Sequence, residues 1–176
     1  MTSTEQGVFL PANLRALAGE VASLLASRNE TVSVGETAAG GLISASILAV
    51  PGSSKIYKGG LTLYNLESRI AFAGWTAADT ENYRGPTPEI VAKLASNVRG
   101  TLGSTYTVSE SGTAGPTGGT TRNRTPGYVA LAVDGPNGTV TAEVETGHGN
   151  REQNMVEFAV AALKLLKQAI EDKARI

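Results

Sequence analysis

The chain has no cysteine, which excludes disulfides, thiolate zinc sites and cysteine nucleophiles. It has one histidine, His148. Any histidine-dependent triad must therefore use that residue, and a histidine-rich metal site is excluded. No Gly-x-Ser-x-Gly elbow is available to partner it, so His148, within "TGHGNRE", is expected in a turn. No apolar run approaches the roughly 20 residues that a membrane helix needs. No excess of one charge exists either: the formal net charge is -1, which gives no global field to hold nucleic acid or an anionic membrane. The N-terminal stretch MTSTEQGVFLPAN lacks a basic region followed by an apolar core. A secretory signal is therefore not expected, and a cytoplasmic location is.

What is present is a folding chain. Its 176 residues are 41% hydrophobic and 18% charged, the composition of one globular domain with a sizeable core, expected over about residues 10–172. Leu14, Leu17, Val21, Leu24 and Leu25 recur at three- and four-residue spacing. That spacing predicts a helix over residues 11–28 with Pro11 in its first turn. Residues 31–34 alternate and read as a strand, 40–50 as a short buried helix, 61–64 as a strand and 67–72 as a helix. Thr87 is placed to cap a helix that Pro88 opens and that carries Ile90, Val91, Leu94, Val98 and Leu102 on one face. Residues 105–108 read as a strand. Residues 128–133 and 139–144 read as a hairpin across Asp134-Gly135-Pro136-Asn137-Gly138. Met155, Phe158, Ala162, Leu165, Leu166 and Ala169 mark a final amphipathic helix, with Asn150 as its cap. Trp75, the sole tryptophan, is expected to pack. The alternation of helix and strand implies a three-layer α/β/α sandwich with a mixed, mostly parallel sheet.

Ligands of such sheets gather at the carboxyl ends of strands, and three segments are candidates. Gly35 to Gly41 runs from a strand into a helix, where free N–H groups suit an anion and small residues admit a ligand; a tight packing turn is the plainer alternative. Residues 51–64 bring Ser53, Ser54, Lys55, Lys58 and Tyr64 together, with lysines able to add charge to phosphate binding; a solvated loop is the alternative. Residues 112–125 contain glycine or proline five times and no apolar periodicity. A loop of that length inside a compact domain is usually functional. With Arg122 and Arg124 it could wrap a phosphorylated small molecule. Arg151 lies in the first turn of a helix, where the dipole disfavours it, and this hints at an anion.

These segments, in this order, resemble the C-terminal domain of the competence-damage-inducible (CinA) family. The motifs are Gly35-Glu36-Thr37-Ala38-Ala39-Gly40-Gly41, Pro51-Gly52-Ser53-Ser54, Gly59-Gly60, Tyr64-Asn65-x-Glu67, Ser111-Gly112-x-Ala114-Gly115-Pro116-x-Gly118-Gly119, Pro126-Gly127 and Gly149-Asn150-Arg151. The resemblance covers roughly residues 10–170. It implies a pocket for nicotinamide mononucleotide, a serine nucleophile activated by a lysine, release of ammonia from the carboxamide, no metal or redox cofactor, and a homo-oligomer. It also implies an additional N-terminal domain in the larger members.

The departures fall on the chemistry. The resemblance places the nucleophilic serine at Thr37 and the activating lysine at Arg69. A threonine keeps the hydroxyl but is stiffer, and a guanidinium cannot serve as a base near neutral pH. Ala38-Ala39 removes a further hydroxyl. Three readings of the site stay open, beside a purely structural role as an oligomeric scaffold. The first is an active amidohydrolase in which Thr37 attacks, Lys55 or Lys58 is the base, and the N–H groups of residues 38–40 form the oxyanion site. The second is a binding module with Arg69 as a fixed cation. The third is another reaction, such as an isomerase or lyase, using Glu36, Tyr64 and Arg69. In each, Ala38 to Gly41, Ser53, Ser54, Lys58, Ser111, Gly112, Gly115, Gly118, Gly119 and Arg151 line the ligand site.

Overall fold

Helix and strand alternate through most of the computed structural model, which describes residues 9–81 and 83–172. Residues 1–8, most of the stretch read above for a signal sequence, lie outside the described residues. The elements in order are α1 (Ala12–Ser27), β1 (Val32–Glu36), α2 (Leu42–Leu48), β2 (Tyr57–Thr62), α3 (Leu66–Phe72), α4 (Ala77–Glu81), α5 (Pro88–Leu102), β3 (Tyr106–Gly112), β4 (Tyr128–Gly135), β5 (Gly138–Glu145) and α6 (Arg151–Asp172).

Local rules account for most boundaries. Pro11 stands just outside α1 as its N-cap, one residue earlier than the periodicity suggested, and Leu14, Val21 and Leu25 are fully buried. The Thr87 hydroxyl accepts from the Ile90 N–H at 3.3 Å, Pro88 is the first residue of α5, and Gly103 closes that helix in the left-handed conformation. The Asn150 side chain accepts from the Gln153 N–H at 3.1 Å, so α6 is capped as its sequence implies.

Three elements depart from the periodicity. β2 begins four residues earlier than residue 61, because Lys58-Gly59-Gly60 carries no apolar alternation yet pairs with β1. β3 runs past Val108 to Gly112, because its pairing with β4 continues through Gly112 and Val129. The short α4 has no apolar face to announce it.

The sheet order is β2-β1-β3-β4-β5. β1 pairs parallel with β2 and β3, whereas β3–β4 and β4–β5 pair antiparallel. β4 alone therefore runs against the other strands. On one face, α1, α2 and α6 cover Val32, Val34, Val108, Leu131 and Val133. On the other, α5 packs through Val91 and Ala95 against Ala130 and Ala132, and through Leu94 and Val98 against Leu63 and Trp75. Each fully buried aliphatic side chain of these cores stabilises the fold by about 1.5–3 kcal/mol relative to exposure. The layering carries residues 37–41, 63–69 and 113–127 and the start of α6 to the carboxyl edge of β1 and β3.

Candidate functional site

The turn after β1 is built around two buried carboxyl groups. Glu36 points under α2, where its carboxylate accepts from the Ile43 N–H at 3.1 Å, the Ser44 N–H at 3.1 Å and the Ser44 hydroxyl at 2.6 Å. It is spent on satisfying the start of that helix. The reading of Glu36 as a proton shuttle in the ligand site is corrected accordingly.

The second carboxyl, Glu110, was not singled out from the sequence. Its Oε1 accepts from the Thr37 N–H at 2.5 Å and the Ala39 N–H at 2.8 Å. Complete burial raises its pKa to about 7, against the lowering effect of those two N–H groups; Glu36 raises it further and Arg69 lowers it. The signal was present in the chain. A strand continued past Val108 puts Glu110 on the core side with Tyr106 and Val108, where a lone carboxylate is costly.

The amides of this turn are thus largely consumed within the protein. Ala39 N–H binds Glu110, and Gly40 N–H donates to the Thr37 carbonyl at 3.2 Å. The oxyanion site expected from residues 38–40 is corrected to match. Gly40 and Gly41 adopt φ of 68° and 99°, and a Cβ on Gly40 would lie 2.7 Å from Met155 Cε of α6. Ala39 and Gly40 are small to admit that helix, so of the four small residues Ala38 alone lines the cleft.

Behind Ala38 lies a second cluster, on the α5 side of the sheet. The Thr37 hydroxyl, buried, donates to the Ser111 hydroxyl at 3.3 Å. Arg69 Nη2 donates to the same Ser111 oxygen at 3.5 Å. Arg69 reaches this point from the last turn of α3, whose start Asn65 caps by accepting from the Ser68 N–H at 2.9 Å. The Arg69 carbonyl accepts from the N–H groups of Ala73 at 2.9 Å and Trp75 at 3.4 Å. The chain thereby folds back and lays Trp75 beside the guanidinium. The guanidinium carbon sits 5.1 Å from the Trp75 ring centroid and 5.2 Å from that of Tyr83. Trp75 packs as expected, and what it packs against is a cation. Arg69 is only 5% exposed, and its Nε and Nη1 have no hydrogen-bond partner among the described residues.

A cleft of about 300 Å³ opens next to this cluster, lined by Ala38, Tyr64, Gly112, Thr113, Ala114, Gly115, Thr117, Gly118, Arg124 and Arg151. Arg151 crosses it, donating through Nη1 to the Gly115 carbonyl at 2.8 Å and through Nη2 to the Tyr64 hydroxyl at 3.0 Å. Tyr64 stands at the rim, 65% exposed. Gly119 donates to the Arg124 carbonyl at 2.7 Å and shapes the loop without lining the cleft. Arg122 is also outside, pairing with Glu143 at 2.9 Å and Glu145 at 2.5 Å over the Tyr128 ring.

A second residue missed from the sequence holds these pieces together. Asn154 is fully buried; it accepts from the Thr146 hydroxyl at 2.6 Å and donates to the Ala114 and His148 carbonyls, each at 2.9 Å. A polar residue one helical turn before Phe158, on the apolar face of α6, was its only signal. His148 lies in the turn before α6, 3.3 Å from Glu157.

Ser53, Ser54, Lys55 and Lys58 are not at the site. Val32 pairs with Tyr57 and Glu36 with Thr62, so residues 53–58 lie at the amino end of β1, one strand length from Thr37. For a five-residue strand that is on the order of 15 Å. α2 carries the chain from one edge to the other, as a parallel pairing requires, and both lysines are exposed. Their assignment as a base or as ligand contacts is corrected on that ground. A groove of about 310 Å³ between α6 and the β4–β5 hairpin, lined by Val140, Ala142, Leu165 and others, is mainly apolar and lacks converging cations. Among the described residues no His/Asp/Glu cluster could hold a metal ion, and no helix is long and apolar enough to cross a membrane.

A family model for the CinA C-terminal domain matches residues 14–170. A CinA-like protein of Desulfosudis oleivorans is 34% identical over 165 residues, 94% of this chain and 40% of that protein. Another, of Fervidobacterium nodosum, is 32% identical over 150 residues, 85% of this chain and 36% of that one. The chain spans about two-fifths of the length of these relatives. The crystal structure of the competence/damage inducible protein CihA from Agrobacterium tumefaciens shares the fold. Its TM-score is 0.86 at 22% identity, covering 93% of this chain and 99% of that one.

Proposed function

This chain belongs to the CinA C-terminal domain family, and from that premise we propose that it holds a nucleotide-like, phosphorylated small molecule in the carboxyl-edge cleft with the family's standard deamidation weakened, altered or lost. Arg124 and Arg151 supply positive charge for a phosphate, and Thr113 and Thr117 supply hydroxyl donors beside them. The pocket is of the nicotinamide-mononucleotide-deamidase type, with Thr37 and Arg69 where the family resemblance puts serine and lysine. No cofactor, nucleic acid or membrane enters the proposal; self-association does, through the resemblance alone.

The observation that carries it is the environment of the Thr37 hydroxyl. Its hydrogen-bond partner is the Ser111 hydroxyl, which also accepts from the Arg69 guanidinium, a donor-only group. Activation needs a base within about 2.6–3.2 Å of the hydroxyl. Glu110 is turned to the backbone amides, and the two lysines are at the opposite edge. The isomerase or lyase reading loses Glu36, which is occupied beneath α2.

The test is incubation of the purified protein with nicotinamide mononucleotide, following ammonia, alongside calorimetry. Binding with ammonia release at the no-protein level is expected. Robust release that Thr37→Ala abolishes would overturn the proposal in favour of an active amidohydrolase.

A further inference from the structure

We infer that the buried guanidinium of Arg69 makes this site select a carboxylate-bearing ligand over the corresponding carboxamide; the inference rests on the small-molecule reading of the cleft given above. A charge taken out of water destabilises the fold unless it is paired or richly hydrogen-bonded. Arg69 is 5% exposed, is held by one long bond of 3.5 Å to Ser111, and has two nitrogens without partners among the described residues. The Trp75 and Tyr83 rings offset part of that cost but accept no strong hydrogen bond. The Trp75 indole Nε1, also buried, lacks a partner as well. The orphaned polar atoms of Arg69 and Trp75 are therefore all donors. Glu110 Oε2, an orphaned acceptor of the neighbouring turn, feels the Arg69 charge but makes no hydrogen bond or ion pair with it, so these donors still call for an acceptor.

Ser111 and Thr37 connect this cation to the cleft. The Ser111 oxygen accepts from both Arg69 Nη2 and the Thr37 hydroxyl. Both residues are chain neighbours of cleft-lining ones, Ala38 and Gly112. Thr37, Ser111 and Arg69 are buried and do not themselves line the cleft, so a ligand group at its floor feels this cation as a fixed positive charge beneath the surface. A carboxylate only accepts hydrogen bonds and carries the opposite charge, whereas a carboxamide brings an NH₂ group that needs acceptors of its own. Arg124 and Arg151 at the cleft wall suit a second anionic group on the same ligand.

The experiment is paired calorimetric titration of the full chain with nicotinic acid mononucleotide and nicotinamide mononucleotide, which differ only in that group. The acid is expected to bind about tenfold more tightly, as the field of one nearby buried charge allows. Arg69→Gln should bring the two affinities within about twofold of each other, and Arg69→Lys should keep part of the preference. If Arg69→Gln is not folded by circular dichroism, Ser111→Ala is read instead, with at least half of the log preference lost. Equal or tighter binding of the amide by the unaltered protein overturns this inference and leaves the small-molecule reading standing. Unchanged preference in a folded Arg69→Gln or Ser111→Ala variant also overturns it. Binding of neither mononucleotide overturns both.

Discussion

Two arginines of this chain sit in opposite circumstances. Arg122, with a side chain 59% exposed, has Glu143 and Glu145 as partners and Tyr128 beneath it. Arg69, buried, has no carboxylate partner among the described residues and two orphaned nitrogens. The exposed charge needs its partners least, because water screens it, and its two ion pairs serve to pin the loop to β5. The buried charge needs partners most and has one long hydrogen bond, two aromatic rings and no ion pair among the described residues. Sequence position does not foretell this: Arg122 lies in a polar, glycine-rich loop, and Arg69 lies in a short helix whose flanking Ile70 and Phe72 are exposed. What separates them is burial, and burial is what turns a surface clamp into a candidate ligand contact.

The same contrast can be pressed at other polar groups, starting where burial is complete and partners are complete too. Asn154→Leu should cost about 4 kcal/mol, or roughly 12 °C in Tm, because two buried carbonyls and a hydroxyl lose their partner. A thermal melt checks this; a loss no larger than that of a surface substitution would mean that satisfied burial matters less here than argued.

Glu110 is the half-satisfied case. Its pKa of about 7 lies above the ordinary value of 4.5, so the unfolded chain releases that proton first as pH rises. Folding stability from this group is greatest below pH 4.5 and falls until the pH passes about 7. Glu110→Gln keeps an oxygen for the two amides and removes the titration. Its Tm relative to the unaltered protein should climb between pH 5 and pH 8, by the equivalent of about 3 kcal/mol. A flat difference across that range would place the carboxyl in a wetter setting. The smallest effect belongs to Arg122→Ala, whose Tm change is expected to be slight and to shrink as salt is added. A loss several times larger would erase the distinction between the two arginines.

Much of the fold was legible because it rests on local rules. The Leu14–Leu25 spacing, the Thr87-Pro88 start and the Pro136-Asn137 turn each place an element from a few adjacent residues. β2 was harder to see, since Gly59 and Gly60 hide an edge strand whose reason for being extended is its neighbour β1. At the site, the motif order pointed to Thr37, Arg69 and Ser111, which the structure places against one another, and to Tyr64 and Arg151, which it places in contact. Lys55 was misplaced because nearness along the chain was read as nearness in space across a crossover. Glu110 and Asn154 were passed over because each is polar in a stretch whose burial is decided by other segments.

The chain by itself determined its element types, their order and its kinship, since propensity, capping and periodicity act over a handful of residues and survive any tertiary arrangement. The assembled structure alone decided which edge of the sheet each loop occupies and which carboxylates are spent on backbone amides. It alone also decided that one arginine is walled in by two aromatic rings. The edge each loop occupies and the Thr37–Ser111–Arg69 cluster depend on strand register and on residues 42 to 87 positions apart packing together, and no short window of sequence contains the energy that selects them.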